Sequence, residues 1–214
     1  MDTAIINKKI EAIRLAFNGV SSDLTAKTEK LGDLDIIDIS HLSTFNKEGR
    51  TLNSRKAFVI HHTAGHGSAK GVVQVLNNRR LGVQWVIDRE GRIWRTLPPR
   101  SIGGQILNSS GLARRHSGLS GLHNRNTEGV EVIAKDDADI LPIQVETAKK
   151  LARALGYAPW QVVPHGEVNR GHKQATEGET ISRAICPDCY MDRMWMDTFV
   201  KANPSVVSRN SNLA

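Results

Sequence analysis

The spacing of apolar residues changes along this chain, and each spacing predicts an element. Ala57-Phe58-Val59-Ile60 is an uninterrupted apolar run of the kind buried in a sheet, and it ends abruptly in His61-His62-Thr63. Ser68 to Arg80 reads as a helix. Val83 to Ile87 and Arg92 to Arg95 read as two strands joined by a tight turn through Gly91. Residues 101–121 are rich in glycine and serine, too polar for a core, and read as a long functional loop. Glu128 to Ile133 is the next strand, and Pro142 opens a helix whose Ala148, Leu151, Ala152 and Leu155 share one face. Val162-Val163-Pro164 is a second apolar run that ends on a histidine, His165. Strand, helix, hairpin, strand and helix in this order predict an α/β domain with a central mixed sheet flanked by helices.

Upstream the pattern is different. Ile5, Ile6, Ile10, Ile13, Leu15 and Ala16 lie among charged positions and predict a helical stretch, followed by a cap signal at Ser21-Ser22-Asp23 and a polar connector from Ser43 to Ser54. The expected organisation is a small helical appendage over residues 1–50, a main domain over 51–203 and a flexible tail over 204–214.

Composition narrows this picture. The 214 residues are 39% hydrophobic and 24% charged, as expected of one globular core rather than a disordered or fibrous chain. No apolar run approaches the roughly 18 residues of a membrane span. The N-terminus lacks the apolar stretch of a secretory signal, so synthesis in a cytoplasm is expected, with another route to any target outside it. A net charge of +7 draws the protein to polyanions such as nucleic acid, lipopolysaccharide or anionic wall polymers. Aromatic residues make up only 5%, and the basic pairs Arg79-Arg80, Arg114-Arg115 and Lys149-Lys150 are scattered. Stacking platforms for single strands are therefore not evident, and a nucleic-acid partner is not expected.

The chemistry concentrates at the two strand ends. A histidine that terminates a buried strand is rigidly held yet leaves the core, as a metal site requires of its ligands. A lone histidine there is more often a packing residue; two such ends, His61 and His165, point to a site. Cys186-Pro187-Asp188-Cys189 lies too near the C-terminus for a thioredoxin-type pair and lacks the second pair of a four-ligand zinc site. It is expected to be reduced and structural.

In this order the motifs resemble the zinc-dependent N-acetylmuramoyl-L-alanine amidases, the superfamily of phage amidase endolysins and peptidoglycan recognition proteins. The likeness runs over about residues 55–180. Ile60-His61-His62-Thr63 resembles the first-ligand strand, Gln84 to Ile93 the central hairpin, and His116-Ser117-Gly118 a substrate-groove motif. Glu128-Gly129-Val130-Glu131-Val132 resembles the following strand, and His165-Gly166-Glu167-Val168 the second-ligand motif. Some members carry a tyrosine where this chain has Val83; others place a glutamate where it has Glu131.

The resemblance implies Zn2+ held by His61, His165 and a third ligand soon after. Glu177 is first choice for that ligand, Cys186 the runner-up and His172 third. It further implies Glu131 as general base, Lys173 as oxyanion stabiliser, His116 as a substrate contact and Glu167 as a partner holding an imidazole, with His62 and His123 structural. A solvent-facing role for Glu131 stays open, because alternation with Val130 and Val132 permits it. The implied activity is peptidoglycan hydrolysis, probed against two alternatives: a binding module on the same fold without catalysis, and a wall-penetrating amidase carried in a phage particle.

Overall fold

The computed structural model describes residues 26–45, 55–106, 119, 121–168 and 177–189. Seven strands form one mixed sheet: β1 (Lys27–Leu31), β2 (Leu34–Asp38), β3 (Ala57–His62), β4 (Trp85–Ile87), β5 (Ile93–Arg95), β6 (Thr127–Val132) and β7 (Val162–Pro164). Their order is β1-β2-β5-β4-β6-β3-β7. Strands β4, β6, β3 and β7 run parallel to one another, while the β1–β2 and β4–β5 pairs are antiparallel. Parallel neighbours covered on both faces explain why β3 and β7 read as unbroken apolar runs.

Among the described residues, four α-helices flank the sheet: α1 (Ala69–Asn78), α2 (Pro142–Ala154), α3 (His165–Val168) and α4 (Glu179–Ile185). Phe58, Ile60, Val130 and Val132 point to the face covered by Ala148 and Leu151 of α2 and Ile181 of α4. On the other face Val86 packs with Val72 and Val73 of α1, and Ala57, Val59 and Val163 pack with Leu119, Leu122 and Val168. Ser68 caps α1 by accepting a hydrogen bond from the Gly71 amide at 3.1 Å. Gln144, buried in the first turn of α2, donates to the carbonyls of Asp88 and Ile133 at 3.1 and 3.0 Å. That side chain ties the helix to the carboxyl ends of β4 and β6.

Residues 27–38 fall within the stretch expected to be a helical appendage, and instead they extend the main sheet as a hairpin. Gly32-Asp33 makes the turn, with Gly32 at φ +58°. The hairpin is fixed by Arg95 of β5, whose guanidinium pairs with Glu29 and, at 3.3 Å, with Asp38. The helical stretch expected over residues 5–16 and the tail expected over 204–214 lie outside the described residues. Cys186 and Cys189, expected to be reduced, form a disulfide, their Cα atoms 5.3 Å apart.

Candidate metal centre

The carboxyl ends of the parallel strands bring the site residues together. Strand β3 alternates, so His61 continues the face of Ala57 and Val59, while His62 turns to the opposite side. In the β3–β6 ladder His61 stands in register with Glu131, and register partners in a parallel pair share a face. Strand β7 lies on the other side of β3 and passes directly into α3, whose first residue is His165. The fourth residue comes 12 positions after His165: Glu177 precedes α4, which packs on β7 and β3.

His61 and His165 are each 3% exposed and Glu177 is 4% exposed. The two imidazole rings lie 4.0 Å apart between centroids. Glu177 Oε1 is 3.0 Å from His165 Nδ1 and 3.7 Å from His61 Nδ1. One ligand atom from each of the three residues falls within 4.8 Å of the others, the one such group of metal-binding side chains among the described residues. Burial alone would raise the Glu177 carboxyl, but the hydrogen bonds and charge interactions with His165 and His61 outweigh it. They hold the group well below the usual carboxylate range. An ionised carboxylate and two imidazoles, converging and buried, fit a zinc ion that keeps an open position.

Two backbone features place Glu177. Its carbonyl accepts from the Gly166 amide at 2.9 Å, which joins it to the residue after His165. Gly178 has φ +88°, and a Cβ there would stand 2.3 Å from the Ile60 carbonyl oxygen. Only glycine allows this turn to lie so close to β3.

The remaining site residues are distributed unevenly. Glu131 is half-buried on β6, and Glu167 is buried in α3. His123 belongs to the loop before β6, where its Nδ1 accepts from the Arg125 amide at 3.2 Å. Cys186, the runner-up ligand, is bonded to Cys189 and has no thiolate to offer. His116, His172 and Lys173 lie outside the described residues.

A sequence model of the N-acetylmuramoyl-L-alanine amidase family matches residues 52–189. No curated protein sequence matches the chain. Similar solved structures include the N-acetylmuramoyl-L-alanine amidase LysC from Clostridium intestinale URNW, at 17% identity over 63% of this chain and 85% of that one, TM-score 0.48. A mutant endolysin from Bacillus subtilis is 19% identical over 71% of this chain and 99% of that one, TM-score 0.48. The Ph2119 endolysin from the Thermus scotoductus MAT2119 bacteriophage is 16% identical over 70% of this chain and 97% of that one, TM-score 0.49.

Proposed function

From the premise that the chain belongs to the N-acetylmuramoyl-L-alanine amidase family, we propose that it is a zinc-dependent peptidoglycan hydrolase. The bond it cleaves is the amide between the lactyl group of N-acetylmuramic acid and the L-alanine of the stem peptide. The convergence of His61, His165 and Glu177 on one buried point carries this reading. A binding-only module would not need a complete donor set, so the set favours hydrolysis over recognition alone.

Bound there, zinc would supply a Lewis acid strong enough to make water a nucleophile near neutral pH. The side chains do the rest. Glu131, in register with His61 on the neighbouring strand, takes the proton of the attacking water and returns it to the leaving amine. Lys173 stabilises the developing oxyanion, and His116 contacts the muramyl peptide, both as the family resemblance implies. Glu167 holds an imbedded imidazole in orientation. The proposed place of action is the cell wall, reached by a phage-derived lytic enzyme after release from the producing cytoplasm or within a phage particle. The +7 charge would hold it near anionic wall polymers or lipopolysaccharide.

Metal analysis of the purified protein and release of new L-alanyl N-termini from peptidoglycan test the proposal together. About one zinc per chain is expected, with loss of activity on exhaustive chelation. Glu131→Gln should keep the metal and lose roughly two to four orders of magnitude in turnover. Full activity after chelation would remove the zinc reading, and normal turnover in Glu131→Gln would return that residue to the protein surface.

A further inference from the structure

Asp137 is far from Glu177 in sequence, in the short 3-10 turn Asp137–Asp139 between β6 and α2. In space it holds the turn that carries Glu177. Asp137 Oδ2 accepts from the Gly178 amide at 2.8 Å, and its Oδ1 accepts from the Thr180 amide at 2.8 Å. The Thr180 hydroxyl donates back to the Asp137 carbonyl at 3.1 Å. Both oxygens of one carboxylate are therefore spent on the backbone immediately after Glu177, in charge-assisted hydrogen bonds stronger than neutral ones.

This matters because the direction of the Glu177 side chain depends on where its backbone stands. A glutamate has three rotatable bonds, and its carboxylate reaches His61 and His165 only if the Cα is correctly placed. Gly166 sets the Glu177 carbonyl from one side, and the Ile60 carbonyl limits Gly178 from beneath. Asp137 closes the third side. A capping side chain usually satisfies one amide of the first helical turn; here the carboxylate also takes the amide of Gly178, the residue next to the proposed ligand.

We propose that Asp137 is a positioning residue for the metal, setting the Glu177 carboxylate against His61 and His165 through the backbone of Gly178. The proposal rests on the zinc reading of the site given above. It separates from simple helix capping by what each variant loses. Asp137→Ala removes both acceptors. Asp137→Asn keeps one good cap oxygen but cannot serve both amides as an anion. Ser182→Ala deletes a 2.8 Å hydrogen bond from the Ser182 hydroxyl to the Val162 carbonyl, loosening α4 from β7 while keeping both Asp137 acceptors.

The test measures zinc affinity of the full chain by competition with a chromogenic chelator, together with the visible spectrum of the Co2+-substituted protein and urea stability. Asp137→Ala is expected to bind zinc roughly 10- to 100-fold more weakly, the range for partners that orient metal ligands, with an altered Co2+ spectrum. Asp137→Asn should fall between it and the wild type, and it decides the matter if Asp137→Ala does not fold. Ser182→Ala should unfold more readily yet keep wild-type affinity and spectrum. Wild-type affinity and spectrum in both Asp137 variants would overturn the proposal alone. Equal metal loss in Ser182→Ala at matched stability would do the same. A wild-type protein that binds no zinc would overturn the zinc reading and this inference together.

Discussion

Two glutamates, Glu128 and Glu177, are both 4% exposed, and their surroundings differ in one decisive respect. Glu128, on β6, accepts from the Tyr157 hydroxyl at 2.7 Å and pairs with Arg55 at 3.4 Å. Guanidinium is always charged, so this carboxylate has a permanent countercharge. Its charge also acts on its neighbour: burial, and then the Glu128 charge, push the Tyr157 phenol well above the usual range. Glu177 instead faces two imidazoles, and an imidazole carries no permanent charge near neutral pH. The first carboxylate completes itself within the protein. On the proposed reading, the second takes its cation from outside.

The sharpest way to break this contrast is to neutralise each carboxylate in turn. Glu177→Gln is expected to lose bound zinc and nearly all hydrolysis, while Glu128→Gln keeps both and loses about 1–3 kcal/mol of stability, the cost of disturbing a buried charged hydrogen bond. Metal analysis and urea denaturation of the two variants read this out. Zinc retained in Glu177→Gln would make the two glutamates equivalent and remove the distinction.

A smaller effect sharpens the Glu128 side. Tyr157→Phe keeps the ring packed on Phe58, 5.3 Å away between centroids, and deletes only the hydroxyl. A loss of about 1–2 kcal/mol is expected, with metal content unchanged, and a stability equal to wild type would show that Arg55 alone satisfies Glu128.

The smallest effect is on pH dependence. Because Glu177 is held below the usual carboxylate range in the fold, its ionisation adds stability that is fully present above the unfolded value of about 4.3. That contribution is lost as pH falls toward the depressed folded value. Urea titrations of metal-free protein at pH 6 and pH 3.5 should show the loss, and Glu177→Gln should reduce it. An identical pH slope in the two proteins would mean that Glu177 does not titrate as described.

Much of the central sheet was legible because burial on both faces leaves an apolar run. β3 and β7 were visible in this way, and so were the histidines that end them. The turn through Gly91 and the proline opening α2 were equally plain. What was not legible depended on partners remote in sequence. The register that sets Glu131 beside His61 is a property of the β3–β6 ladder, and no local pattern encodes it. Glu177 was singled out only through the family resemblance, as the nearest carboxylate beyond Lys173. Asp137 sits in the acidic run Asp136-Asp137-Ala138-Asp139, and the amides it accepts from lie 41 and 43 residues away.

The edge hairpin was missed for a different reason. β1 is exposed along most of its length, so Lys27-Thr28-Glu29-Lys30 shows no alternation. Gly32-Asp33 between Leu31 and Leu34 is a recognised two-residue hairpin signal, and it was the clue available.

The placement of Glu177 at the far end of the chain from His61 has a consequence for synthesis. Translation at about 5–20 residues per second separates the emergence of the two by on the order of ten seconds. Throughout that interval the nascent polypeptide carries His61, then Glu131, then His165, without Glu177, the proposed third ligand. On the proposed reading, hydrolytic capacity appears only once Glu177 has left the exit tunnel and α4 has docked, so translation products that end before Glu177 stay inert.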